Sequence, residues 1–400
     1  MNKSMESWFF MRPGFDTFRL EPEKHCRFLF GKRDRAQRDF VLGEIEGASY
    51  SNDGHKAAIY GDYGRGKTHQ CHNIVFEIQR RGLKVEPVYI KCSAYESKEP
   101  FRSLFREMVG RHSSAELNRV ATEYARLVAR KEAAPLVEIV SSEDIALVMT
   151  KALGAIEQDA VRTGMRWLGG EPKVSMDLIS KSLTPQLTDS LEFGAVMRGL
   201  AQMHVTVDGK VPLYLIDEAE RFENVTHTDT YAKWLASLRE LTEILRVGLI
   251  FFVGAKTRNA LPTIFLQEEI QRRIGTANYI EFNNPSRDEL EEFLIEQFQT
   301  SIRKGEVPEP HRDVVEPAAL DPMVPEELRT ITGNDSQRLR TFPFEPEAFA
   351  EFLDQVTIGE LASKPSEVQI RLQKAAQRAM RSDARTIGSK IVTAIGSEGF

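Results

Sequence analysis

Gly61-Asp62-Tyr63-Gly64-Arg65-Gly66-Lys67-Thr68 is the stretch from which the rest of the chain is read. It meets the pattern G-x-x-x-x-G-K-[ST] at every specified position. The apolar run Ala57-Ala58-Ile59-Tyr60 precedes it, and His69 to Arg81 follows, with Ile74, Phe76 and Ile78 suited to a packed helix. A strand that runs into a glycine-rich turn and then a helix is the local order this pattern requires.

The residue types match one chemistry. Glycines let backbone N–H groups curl around an anion with no Cβ in the way, and the helix N-terminus adds its positive dipole end. The loop therefore reads as a cradle for nucleotide phosphates built from Gly61, Tyr63, Gly64, Arg65, Gly66, Lys67, Thr68 and His69. Lys67 is placed to reach the β- and γ-phosphate oxygens, and the Thr68 hydroxyl to ligate Mg²⁺.

A second element completes that chemistry. Val211-Pro212-Leu213-Tyr214-Leu215-Ile216-Asp217-Glu218 is a buried-strand pattern that ends in two carboxylates. Beside a metal-bound triphosphate, Asp217 would hold the Mg²⁺ shell and Glu218 would polarise the attacking water. A kinase of small molecules has its acceptor as nucleophile and does not need that glutamate. No Asn-Lys-x-Asp element for guanine and no Leu-Ser-Gly-Gly transporter signature occurs in the sequence.

Outward from these motifs, short β-branched or aromatic runs recur at Lys56 to Tyr60, Val85 to Lys91, Leu213 to Ile216, Leu249 to Val253 and Asn278 to Phe282, separated by stretches of helical period. Strands alternating with helices predict a mostly parallel sheet covered on both faces. Pro100 to Lys210 is too long for one crossover and reads as a helical insertion, with helices over Phe101 to Arg111 and Ser114 to Arg130. After Pro285 the pattern is mostly helical, with loops at Gly305 to Pro325 and Thr330 to Pro346. The expected division is an N-terminal extension over 1–27, an ATPase domain over 28–284 with its insertion at about 100–210, and a helical lid over 285–400.

Composition limits the surroundings. The 400 residues, 41% of them hydrophobic, suffice for a large core. Cys26, Cys71 and Cys92 are odd in number and widely spaced, which suits a reducing compartment and offers no disulfide framework. His69, Cys71 and His72 lie close together, but no second pair of ligands stands at zinc spacing. The start of the chain lacks an apolar signal region, and Val247 to Ala255 is far too short for a membrane helix, so a cytoplasmic protein is expected. A formal net charge of −6 confines any nucleic-acid contact to a local basic face.

With these pieces in place, the chain resembles the AAA+ superfamily of P-loop ATPases. Within it, the likeness is to the initiator-like branch of origin-recognition proteins, regulators of target-selecting transposons and ATPases of bacterial phage-exclusion systems. Phe28-Leu29-Phe30-Gly31-Lys32-Arg33-Asp34 is similar to the family's F-x-G-R-x-x box, which implies that Phe30 and Gly31 lie against the adenine. Leu249 to Ala255 is similar to the strand that leads to the first sensor. Gln271-Arg272-Arg273-Ile274-Gly275 is similar to the S-R-x-G element, which implies that Arg273 acts as a finger on a neighbouring subunit. Asn284 to Leu290 is similar to the family's entry to the lid, and Trp167-Leu168-Gly169-Gly170-Glu171 to a W-L-x-G-E insertion of the phage-exclusion relatives.

The resemblance implies a three-layer α/β fold of the ASCE/AAA+ class with a parallel five-stranded sheet, ATP and Mg²⁺ as cofactors, and a homo-oligomer, ring or filament. It implies an ATPase that loads or regulates a partner assembly on DNA or RNA, or else an ATP-driven switch of an antiviral defence complex acting through an effector protein. There are departures. The polar residue of the first sensor falls near Ala255, leaving Thr257 or Asn259 to serve. Lys364-Pro365-Ser366-Glu367 has serine where N-P-R-E has arginine, leaving Lys364 or Arg371 as second-sensor substitutes and implying either slow hydrolysis or ATP acting mainly as an assembly ligand. No winged-helix segment is expected after Arg385 to Gly388. Basic candidates for nucleic acid are Arg102, Arg106 and Arg111, and Arg371, Lys374, Arg378, Arg381 and Arg385. Tyr95, after the second strand, is the one aromatic that a remodeller's pore loop would use.

Overall fold

The structure is a computed structural model that describes residues 4–12, 15–92, 100–172, 174–175, 183, 186–224, 228–302, 324–333, 335–358 and 364–397. Five strands, β1 (Lys56–Gly61), β2 (Val85–Lys91), β3 (Val211–Asp217), β4 (Gly248–Gly254) and β5 (Tyr279–Glu281), form one parallel sheet in the order β2-β3-β4-β1-β5. They fall where the apolar runs predict. Every residue of β3 is buried, so both faces of the sheet are covered and no alternation of polar positions survives. The result is the expected three-layer α/β arrangement, with a helical insertion between β2 and β3 and a helical C-terminal segment.

Packing divides the chain into two units. One holds Phe40–Gly61 and Ile74–Phe282, and the other Met1–Asp39, Asp62–Asn73 and Asn283–Phe400. The boundary therefore cuts helix Lys67–Arg81 after its first two turns.

In the sheet unit, the insertion is a set of helices built on one core with the sheet. Phe101, Phe105 and Phe193 from helices Pro100–Gly110 and Ser190–Asp208 pack together, Phe101 meets Trp234, and Phe222, Phe251 and Phe265 extend that aromatic cluster. Helix Ser190–Asp208 has a capping box, Asp189 with Glu192, and ends on Gly209 in the left-handed region, so local signals fix both its ends. The Trp167 to Glu171 string ends helix Gln158–Leu168: Trp167 and Leu168 are fully buried, Gly170 turns the chain at φ +69°, and Glu171 pairs with Arg166 at 2.5 Å.

The other unit has its own core. Ser286 and Glu289 form the capping box of helix Arg287–Ser301, whose Leu290, Leu294 and Phe298 pack with Phe344, Phe349 and Phe352. Met5, Trp8, Phe9, Phe10, Met11, Phe15, Phe18, Phe28 and Phe30 belong to this core. Phe9, Met11 and Phe18 are fully buried in it, the Trp8 Nε1–H donates to Ala384 O at 2.9 Å, and Met11 bridges Ile302. Expected as loop, Thr330 to Pro346 instead contains helix Ser336–Thr341, which forms because the Asp335 carboxylate accepts from the amides of Gln337 and Arg338 at its start. Most of the other expected loop, Gly305 to Pro325, lies outside the described residues, as does Tyr95.

Candidate phosphate loop and acidic strand end

The loop leaves the carboxyl end of β1, where Gly61 is obligatory: a Cβ there would lie 2.4 Å from Phe282 O. Gly64 and Gly66 have φ of +78° and +103°, the left-handed region in which a side chain is strained. Among the described residues nothing lies within 4 Å of a Cβ built on Gly66, so within the chain it is the backbone conformation that calls for glycine there. Lys67 Nζ donates to Asp62 O at 2.9 Å and lies 5.7 Å from the Tyr63 ring centre, and Tyr63 itself is largely exposed.

Two members of the loop spend their side chains on its support. The Arg65 guanidinium is buried, forked on the Asp34 carboxylate at 3.0 and 2.5 Å, and bonded to Asn283 O. Burial pushes the Asp34 carboxyl above its ordinary value, and Arg65 pulls it back. His69 Nε2 bonds Phe28 O at 2.5 Å, and burial holds its pKa below the usual histidine range, so it serves as a neutral strut. Arg65 and His69 can then contribute backbone amides to an anion but not these side chains.

In the same unit, Gly31 has φ +86° and its N–H donates to Glu296 Oε2 at 2.7 Å. Glu296 is in turn forked by Arg35. Phe30 packs edge-on against Phe293, with ring centres 5.8 Å apart. Phe30, Gly31, Asp34, Pro285, Phe293 and Pro365, together with the charged Lys32, Arg33, Arg65, Glu289 and Glu292, line a small cleft.

At the end of β3, Asp217 is 2% exposed. Its Oδ1 accepts from the Glu218 amide at 2.9 Å, and its Oδ2 from Tyr89 Oη at 3.3 Å. Glu218 has φ +58°, a left-handed conformation that costs a non-glycine residue on the order of 1 kcal/mol or more. Lys91 Nζ stands 3.1 Å from its Oε1, and Arg221 Nη2 approaches Oε2 to 2.5 Å, off the hydrogen-bond line. Neither partner of Glu218 was anticipated from sequence, although Lys91 is opposite Asp217 in the sheet register and Arg221 lies one helical turn on.

Arg273 is held within its own chain, ion-paired with Glu243 and donating from Nη1 to Glu269 O at 2.9 Å, whereas Arg272 is exposed. Ala255 is buried and its amide donates to Gly61 O, while Thr257 and Asn259 are exposed. Arg371 Nη1 donates to Gln355 O at 3.3 Å. Lys364 meets the phosphate loop at Asp62.

Thr68 and Asp217, the residues expected to hold Mg²⁺, both offer oxygen donors. Among the described residues no group of three or more His, Cys, Asp or Glu is gathered for a metal. Mg²⁺ is ordinarily held by one or two protein oxygens together with phosphate oxygens, and a threonine hydroxyl and an aspartate are such ligands. Among the described residues no helix is long and apolar enough to cross a membrane.

No family model matches the chain, and no curated protein matches it in sequence. Solved structures do. The chain is similar to the Aeropyrum pernix ORC2 protein in its ADPNP-ADP complexes, at 13% identity over 92% of this chain and 68% of that one, TM-score 0.46. It is similar to the Aeropyrum pernix ORC1 protein in complex with DNA, at 12% identity over 92% and 66%, TM-score 0.42. It is also similar to Drosophila ORC bound to DNA, at 9% identity over 94% and 65%, TM-score 0.43. The chain thus spans slightly less than two thirds of the latter two. These likenesses are distant, and the fold assignment stands on the strand order, the loop at the end of β1 and the acidic end of β3.

Proposed function

We propose that this chain, an initiator-like AAA+ P-loop ATPase in its fold, binds ATP with Mg²⁺ at the Gly61 to Thr68 loop and hydrolyses it. One observation carries the reading. β1 and β3 are parallel strands of a single sheet, and their carboxyl ends deliver the start of the phosphate loop and the Asp217-Glu218 pair to the same edge. Ligands of open α/β sheets bind beyond the carboxyl ends of the strands.

In this reading the loop amides and Lys67 grip the phosphates, and Thr68 and Asp217 hold the metal. Bound Mg²⁺ would neutralise charge developing on the phosphoryl oxygens. Glu218 accepts the proton of the attacking water once Lys91 and Arg221 release its carboxylate. Arg273 would act on a neighbouring subunit by exchanging Glu243 for phosphate, which makes hydrolysis depend on assembly. The oligomer would use that cycle to load or regulate a partner assembly on nucleic acid.

The test is calorimetry and phosphate release on the full chain with ATP and Mg²⁺, with and without duplex and single-stranded nucleic acid. Binding of ATP and salt-sensitive stimulation by nucleic acid are expected. An absence of binding heat with any adenine nucleotide would sink the ATPase reading, and stimulation indifferent to nucleic acid would remove that part of it.

A further inference from the structure

The loop that is meant to hold an anion carries an acid of its own. Asp62 stands at its first variable position, and its carboxylate is fixed inside the loop, because Oδ1 accepts from the Tyr63 amide at 2.8 Å. The other oxygen, Oδ2, is 2.9 Å from Lys364 Nζ. Both side chains are only 12% exposed, so this ion pair is far from a solvated surface pair. Lys364 is the N-cap residue of helix Pro365–Arg381.

Two backbone features hold that helix start on the loop. The Ser366 N–H donates to Gly64 O at 3.1 Å. A Cβ on Gly64 would stand 2.1 Å from Ser366 Oγ, which would have to turn away, and the φ of +78° strains any residue but glycine there. The carbonyl of Asp62 is also the acceptor of Lys67 Nζ, so the residue that faces Lys364 is bonded to the loop's own cation.

We propose that Asp62 and Lys364 form a charge-matched latch, in which Lys364 cancels an acid built into the phosphate loop, so that nucleotide affinity depends on the helix start being seated. The inference rests on the nucleotide reading given above. Its physical basis is like-charge repulsion. A carboxylate within a few ångströms of bound phosphates opposes them strongly where water is partly excluded, and a paired carboxylate does so far less. Lifting the start of helix Pro365–Arg381 removes the cation and the Ser366 amide together. The loop then keeps its acid without the Lys364 cation, and that acid repels a triphosphate more strongly than a diphosphate.

This role differs from a direct contact between Lys364 and phosphate, and a double-mutant cycle separates the two. The full chain is titrated calorimetrically with a non-hydrolysable ATP analogue and with ADP, each with Mg²⁺. Lys364→Met is expected to weaken the analogue on the order of tenfold and ADP less, while Lys364→Arg stays near the parent. In the Asp62→Asn background, the same Lys364→Met change is expected to cost no more than about twofold, since there is no acid left to cancel.

Amide exchange at Ser366 in the nucleotide-free chain reads the latch independently and is expected to quicken in both single variants. Equal losses from Lys364→Met in the two backgrounds would overturn the latch, as would Ser366 exchange that neither variant changes. A parent chain that binds neither nucleotide instead sinks the function proposed above, and the two failures are distinguishable.

Discussion

At the scale of single residues, the phosphate loop is governed by backbone conformation, and this makes its substitutions sharply different. Gly64→Ala forces a Cβ into the left-handed region and against Ser366, so it should cost about 1 to 3 kcal/mol in urea unfolding and weaken nucleotide binding as well. Lys67→Ala leaves the backbone intact and should abolish nucleotide binding with little loss of stability. Glu218→Gln should keep binding and lose hydrolysis. A glutamine variant that turns over ATP as fast as the parent removes Glu218 from the chemistry. The glycines, Lys67 and the two acids could be singled out because residue type at fixed spacing marks them as candidates. The partners of those residues could not, since Asp34 for Arg65, Glu296 for Gly31 and Lys364 for Asp62 are remote along the chain.

At the scale of elements, helix Ser190–Asp208 brings a buried histidine onto the sheet. His204 stacks on His112 with ring centres 5.4 Å apart, and His112 Nε2 bonds the Tyr214 hydroxyl of β3 at 2.9 Å. Burial, aided by the neighbouring ring, pushes His112 down to about 3. Burial likewise lowers His204, against the pull of Asp208 and Glu86. In the unfolded chain both titrate near 6.5. Below that pH the unfolded state takes up protons that the folded state refuses, so stability is full above about 6.5 and falls as pH drops toward 3. Each histidine contributes a slope of up to about 1.4 kcal/mol per pH unit, read from urea midpoints between pH 7 and 5. His112→Gln should flatten that slope.

The N-terminal segment gives the second element-scale prediction. Phe9→Ala or Phe18→Ala should destabilise the unit containing the C-terminal helices by about 3 to 5 kcal/mol, because each ring is fully enclosed in that core. A merely appended extension would tolerate either change with no shift in the unfolding midpoint.

For the whole molecule, the described residues form two separate hydrophobic cores, and the formal net charge is −6. If ATP is hydrolysed where copies meet, Arg273→Ala and Glu218→Gln should each be inactive alone. Mixed in equal amounts, they should recover part of the parent's phosphate release, because one class of mixed contact joins an intact Glu218 to an intact Arg273. Full activity of Arg273→Ala by itself would confine that arginine to its intrachain pairing with Glu243. Light scattering with and without ATP reads the assembly directly.

The five strands, the helical insertion and the phosphate loop were written in local pattern: apolar runs of strand length, glycines at the motif's fixed positions and caps at helix ends all act over a few residues. Only the tertiary structure decided where the N-terminal aromatic residues Trp8, Phe9, Phe15, Phe18, Phe28 and Phe30 pack, that the Trp167 string closes a helix into a core, and which side chains restrain Arg65, Glu218, Arg273 and Asp62. Those choices depend on contacts between segments far apart along the chain, and neither hydrophobic periodicity nor motif spacing encodes which distant charge or ring will complete a buried site.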